Sequence, residues 1–235
     1  MVYDSASMED TMHRTAACTL FIAALLFAIT GNTHLLQAAE NPAKQYRETL
    51  AVMQMLYGIE VRAAHRFQMF SDRAVEEGHG NIAHLFKAIS ISEHIHASHF
   101  KELIESVGER TATIDLSSIR AGSTDENLRY SATTELSEIN SQYPRYIERI
   151  SPEGHARALE YLRFAWEAEK HHRKLIDEMP NGAARFFDRL LAPFEAGESR
   201  YYVNQNCGTT VTKLPKQECP VCRMPVETYI EVPRP

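Results

Sequence analysis

The stretch Ile91-Ser92-Glu93-His94-Ile95-His96 sets a carboxylate and an imidazole three residues apart. On an α-helix, residues i and i+3 share a face, so Glu93 and His96 can grip one ion from one side. The neighbours of Glu93 at helical spacing are Phe86, Ile89, Ser90, Ala97 and Phe100, a largely apolar stripe that predicts a core-facing carboxylate. A bare carboxylate there is costly, which argues for a partner of opposite charge. The device recurs as Glu169-Lys170-His171-His172, with Leu162, Ala165, Trp166 and Ile176 on its stripe. Two Glu-x-x-His helices in one chain point to a metal held inside a helical bundle.

Each of these helices follows another that carries an inward carboxylate. Glu60 is flanked at helical spacing by Met53, Leu56, Tyr57, Ala63, Ala64 and Phe67, all apolar, within a helix expected from Asn41 to about Gly78. The helix of Glu93 and His96 is expected over 81–107, bounded by Gly78-His79-Gly80 and Gly108. Residues 108–123 lack a sustained period and read as a crossover. Ser123 and Glu126 then form a capping box opening a third helix, which bears Glu135 and Glu138 and should kink at Pro144. Ser151-Pro152-Glu153 reads as the start of a fourth helix running to about Met179. Glu60 and Glu93 stand 33 positions apart, Glu135 and Glu169 34, so the chain reads as two similar halves. Paired halves of this kind match the carboxylate-bridged two-metal bundles of ferritin-like proteins. The fold class expected is therefore an all-α, ferritin-like four-helix bundle over 40–182.

With 235 residues, 44% apolar and 24% charged, the chain can bury one sizeable core and carry a small extra module. Its net charge is −6 and its Lys and Arg are dispersed, so the pattern points to no nucleic-acid partner. The uncharged run from Ala16 to Ile29 follows Arg14 and precedes Gln37-Ala38-Ala39, which reads as a signal peptide over 1–39 and an exported, periplasmic protein; an uncleaved anchor is the alternative. Residues 183–200, with Phe186, Phe187, Leu190, Leu191 and Phe194 on one side, read as a linker helix or arm. From 201 to 235 the composition turns to short strands and cysteines, with Glu218-Cys219-Pro220-Val221-Cys222 as a metal-knuckle pattern.

Together these residues resemble the rubrerythrin family, a ferritin-like diiron domain followed by a rubredoxin-like domain. The resemblance covers about Glu48 to Val232 and implies seven diiron ligands: Glu60, Glu93, His96, Glu135, Glu138, Glu169 and His172. It gives Glu138 the role of an extra carboxylate that exchanges with His96 as the metal changes oxidation state, and sets Tyr143 beside the centre. Phe67 stands where a second tyrosine is usual. The tail departs from the family pattern, because the first Cys-x-x-Cys pair here reads Asn204-x-x-Cys207. Cys207, Cys219 and Cys222 remain where four thiolates are normal, which leaves zinc or iron at the tail, a disulfide, or neither as open readings, and puts in doubt the iron that relays electrons to the other subunit's diiron centre.

Carboxylate and imidazole donors suit iron or manganese better than copper or structural zinc, and iron is favoured because it is redox-active. The resemblance implies an oxidoreductase, a peroxidase that reduces hydrogen peroxide to water with electrons from an external donor protein, working as a homodimer or larger homo-oligomer. Two other readings compete: a ferroxidase that sequesters iron, and a non-enzymatic bundle whose metal is structural and whose tail docks a partner.

Overall fold

The computed structural model describes residues 41–135, 139–177 and 199–235. The expected signal peptide, most of the 183–200 arm, and Glu138 lie outside the described residues, and so does the side chain of Glu135. The helices are α1 (Pro42–Gln45), α2 (Arg47–Glu76), α3 (Gly80–Ser106), α4 (Thr124–Tyr130), α5 (Ile139–Ile150) and α6 (Ala156–Asp177). A π-helical segment, Ser131–Glu135, continues α4. The tail contributes β1 (Tyr202–Asn204), β2 (Thr210–Val211) and β3 (Tyr229–Glu231) in an antiparallel sheet of order β2-β1-β3.

Helices α2 and α3 form a hairpin whose turn needs Gly78, at φ 82°, where a side chain would be strained. Apolar stripes from all the long helices meet in one core that includes Met53, Leu56, Phe86, Phe100, Ile150 and Leu162. Phe67, Phe70 and Phe86 pack there with ring centroids 5.5 to 5.9 Å apart, so the phenyl of Phe67 serves the core. The tail shares this core through Tyr201, Val203, Cys207, Cys219, Tyr229 and Val232.

Some helix ends follow local signals and others do not. The Ser123 capping box is present, with Glu126 N bonded to Ser123 Oγ and Ser123 N bonded to Glu126 Oε2. The fourth helix, however, does not start at Ser151. Ser151–Glu153 is a 3-10 turn ended by the left-handed Gly154, and the Ser151 hydroxyl donates to Ile147 O. Helix α6 begins at Ala156, and His155 Nδ1 accepts from Ala158 N in place of a serine cap. The expected cap instead leaves Glu153 free to accept the amides of Glu48 and Thr49, at 2.8 and 2.7 Å, so it caps α2 from across the bundle. Pro144 lies inside α5, and the irregular stretch of the third helix is the π segment upstream of it.

Candidate metal centre

Glu60 on α2, Glu93 and His96 on α3, and Glu169 on α6 converge in the core, with ligand atoms all within 4.8 Å of one another. Glu60 and Glu93 are each 2% exposed and His96 1%. Periodicity accounts for this: each carboxylate sits at the centre of an apolar stripe, so burying the stripe carries the carboxylate inward. His172, one turn beyond Glu169, brings Nδ1 to 3.3 Å from Glu93 Oε1 and 3.5 Å from Glu169 Oε2. That buried nitrogen is in ion-pair range of both but makes no aligned hydrogen bond. His96 Nδ1 is 3.1 Å from Glu93 Oε2. Tyr143 on α5 donates its hydroxyl proton to Glu60 Oε1 at 3.2 Å.

The charges in this cluster are unbalanced without cations. Burial, then the charges of Glu93 and Glu169, push the Glu60 carboxyl well above its ordinary range. Burial and Glu93 raise Glu169 in the same way. Burial also acts against the charge on Glu93, but His172 and then His96 hold its carboxyl well below that range. Burial alone would depress His172, yet Glu93 and Glu169 carry it up to about 10. Such a site holds protons where it could hold metal, and divalent ions would displace them. Carboxylates and imidazoles in a buried pocket, with one histidine nitrogen making no aligned hydrogen bond, are a donor set that fits iron.

The outward nitrogens of both histidines are held by the tail, which sequence reasoning did not foresee. His96 Nε2 donates to Cys207 O at 3.2 Å. His172 Nε2 faces Thr210 Oγ1 at 3.3 Å, and the Thr210 hydroxyl is committed as donor to Gly208 O. Each Nε2 thus carries a proton and donates outward, and Nδ1 is the nitrogen that faces the carboxylates. Ser92 Oγ donates to Gly208 O at 2.7 Å, and Gly208, at φ 76°, brings its backbone against the His96 ring. His84 is 1% exposed and clasps the tail, with Nε2 2.8 Å from Val232 O and Nδ1 3.1 Å from Ser199 O. Trp166, expected in the core, is only half-buried, under Lys170. The tail therefore lies on the bundle of its own chain, next to His96 and His172.

Residues 52–179 match the Rubrerythrin family model. The chain belongs to the rubrerythrin family. It is 31% identical to rubrerythrin-2 of Clostridium acetobutylicum over 177 residues, 74% of this chain and 91% of that protein. It is 30% identical to rubrerythrin of Porphyromonas gingivalis over 184 residues, covering 75% and 86%. The fold resembles that of nigerythrin solved in a mixed-valence state, with a TM-score of 0.63 at 25% identity over 78% of this chain and 86% of that one. As a member of the rubrerythrin family, the chain is a diiron oxidoreductase connected with oxidative stress, built on a ferritin-like bundle with a small cysteine-bearing tail.

Proposed function

We propose that this member of the rubrerythrin family is a peroxidase that reduces hydrogen peroxide to water, with Glu60, Glu93, His96, Glu135, Glu138, Glu169 and His172 as the ligands of its two irons. The observation that carries this reading is the approach to the site. A cavity of about 250 Å³ leads inward to Glu60, Glu93 and Glu169, and its walls include Arg62, Arg66 and Gln142. The Arg62 guanidinium is turned onto Gly58 O and that of Arg66 lies over the Tyr130 ring, so two cations flank the approach; they weigh against traffic of ferrous ion as a substrate and not against a small neutral molecule such as peroxide. That favours peroxide reduction over iron storage.

When bound, two irons supply the two electrons that cleavage of the peroxide bond consumes. The chain's own groups prepare the site for this. Tyr143 keeps its proton, because burial and then the Glu60 charge raise the phenol well above its ordinary range, so it acts as a fixed donor that orients Glu60. Glu93 lies between the two histidines and stays ionised. Apolar Leu56, Ala63 and Ile139 line the cavity around the carboxylates and limit the water beside them. Electrons return from an external donor protein, the assembly is a homodimer or larger homo-oligomer, and the chain is exported. The test is a single assay on the ferrous protein supplied with peroxide or with oxygen. Faster oxidation by peroxide, with the iron retained, is the expected result; faster oxidation by oxygen with ferric iron accumulating beyond two per chain would make it a ferroxidase.

A further inference from the structure

The tail carries a second cluster, and its fourth corner is filled. The Sγ atoms of Cys207, Cys219 and Cys222 lie within 4.8 Å of one another, and Cys207 and Cys219 are 3.7 Å apart. Asn204 is fully buried, and its amide orientation is fixed by its partners. Its Nδ2 donates to Thr228 Oγ1 at 2.7 Å, while Oδ1 accepts the amides of Asn206 and Cys207 at 2.9 and 3.1 Å. Oδ1 therefore faces the sulfurs and stands 3.6 Å from Cys222 Sγ.

These separations are those of ligands around a shared ion. For a tetrahedral site with metal–sulfur bonds of about 2.3 Å, the sulfur–sulfur edge is about 3.8 Å. With a metal–oxygen bond of about 2.1 Å, the sulfur–oxygen edge is about 3.6 Å. The observed 3.7 and 3.6 Å match both edges, whereas a disulfide would need the sulfurs at about 2.05 Å. Tyr229 Oη donates to Cys219 Sγ at 3.1 Å, and Thr209 Oγ1 lies 3.1 Å from Cys207 Sγ, so hydroxyls support the sulfurs as they would thiolates.

We propose that Cys207, Cys219, Cys222 and Asn204 Oδ1 hold one zinc ion, and that this ion is a structural clamp instead of an electron carrier. Four thiolates stabilise ferric iron by charge; replacing one with a neutral oxygen removes a unit of negative charge and favours an ion that stays divalent. Soft thiolates in a closed tetrahedral site suit zinc. The tail also needs such a staple, because strands of three, two and three residues make too small a core to hold their shape alone. The clamp ties the turn at Asn204–Cys207 to the loop at Cys219–Cys222. It thereby fixes Cys207 O and Gly208 against His96, so zinc would set the orientation of a diiron ligand without taking part in electron transfer.

The test titrates cobalt(II) into metal-free, reduced full-length protein carrying Cys18→Ser. Sulfur-to-cobalt charge-transfer absorption reports the tail alone, since the bundle site contains no thiolate. The band should level off at one sulfur-bound cobalt per chain, with visible absorption typical of tetrahedral cobalt, and zinc should bleach it. Asn204→Asp keeps the acceptor of the two amides and adds charge, so it should tighten cobalt binding by about tenfold or more, and Asn204→Ala should weaken it by a similar factor. Circular dichroism of each variant checks that the bundle is intact. The proposal is overturned by absence of the charge-transfer band, by Asn204→Asp binding cobalt within twofold of the parent, by a Cys207–Cys219 disulfide in protein isolated without reductant, or by an air-stable ferric–thiolate spectrum in iron-loaded protein.

Discussion

Replacing Gly208 by alanine should lever the tail away from the bundle. A Cβ at this position would fall 2.4 Å from His96 Nε2 and 2.9 Å from Ser92 Oγ, well inside contact distance, on a backbone held at φ 76°. The His96 ring cannot retreat, because its other edge faces Glu93 in the core. The tail must therefore move by about an ångström, giving up the Ser92–Gly208 and His96–Cys207 hydrogen bonds, worth about 1 kcal/mol each. The left-handed conformation costs a further 1 to 2 kcal/mol, roughly, once a side chain is present. The total is about 3 kcal/mol, which corresponds to tail amides opening about a hundredfold more often. Hydrogen exchange across 199–235 measures this, and iron analysis shows whether the bundle site survives. Exchange within threefold of the parent would refute the claim that the tail is seated on His96.

Three further outcomes are expected. Glu138→Ala should lower peroxide turnover more than iron content, whereas Glu93→Ala should remove iron as well, because Glu93 contacts both histidines; equal loss of iron would make Glu138 an ordinary ligand, and metal analysis beside turnover decides it. Burial, with help from His96 and Arg157, lowers His99 to about 4 from 6.5, so the unfolded chain binds the proton more readily in that window. Its stabilising contribution is then present above pH 6.5 and lost as pH falls toward 4, up to about 3 kcal/mol at roughly 1.4 kcal/mol per pH unit, and denaturant unfolding of His99→Gln should show a flatter acid limb. Protein from the native cell should begin near Glu40, as read by N-terminal sequencing, with a cytosolic chain retaining Cys18 as the contrary result.

What the sequence disclosed was whatever periodicity could encode. Glu60, Glu93 and Glu169 each occupy the middle of an apolar stripe, so their inward course followed from helix geometry before any fold was known. The Ser123–Glu126 box was equally readable, being confined to four consecutive residues. The contacts that escaped were all distant in sequence. Glu153 caps a helix more than a hundred positions away, and nothing local distinguishes it from the surface glutamate that a Ser-Pro-Glu start would contain. Nothing local marks His84 as a tail contact, because its partners, Ser199 and Val232, are supplied by the tail. Asn204 was visible as a departure from a cysteine pattern, but only three dimensions show its oxygen facing the vacated corner. The tail's contact with His96 and His172 left one trace, Gly208 beside Cys207, which a search for a required close backbone approach could have found.

On the proposed function, the buried carboxylate–histidine cluster holds two irons that act together on peroxide. Anaerobic titration of the diferrous protein with hydrogen peroxide, followed by iron Mössbauer spectroscopy, tests it most directly. Two ferrous ions per chain are expected, both oxidised by a single equivalent of peroxide, with coupled ferric signals that disappear in His172→Ala. One iron per chain, or a peroxide requirement that leaves the ferrous signal unchanged, would contradict it.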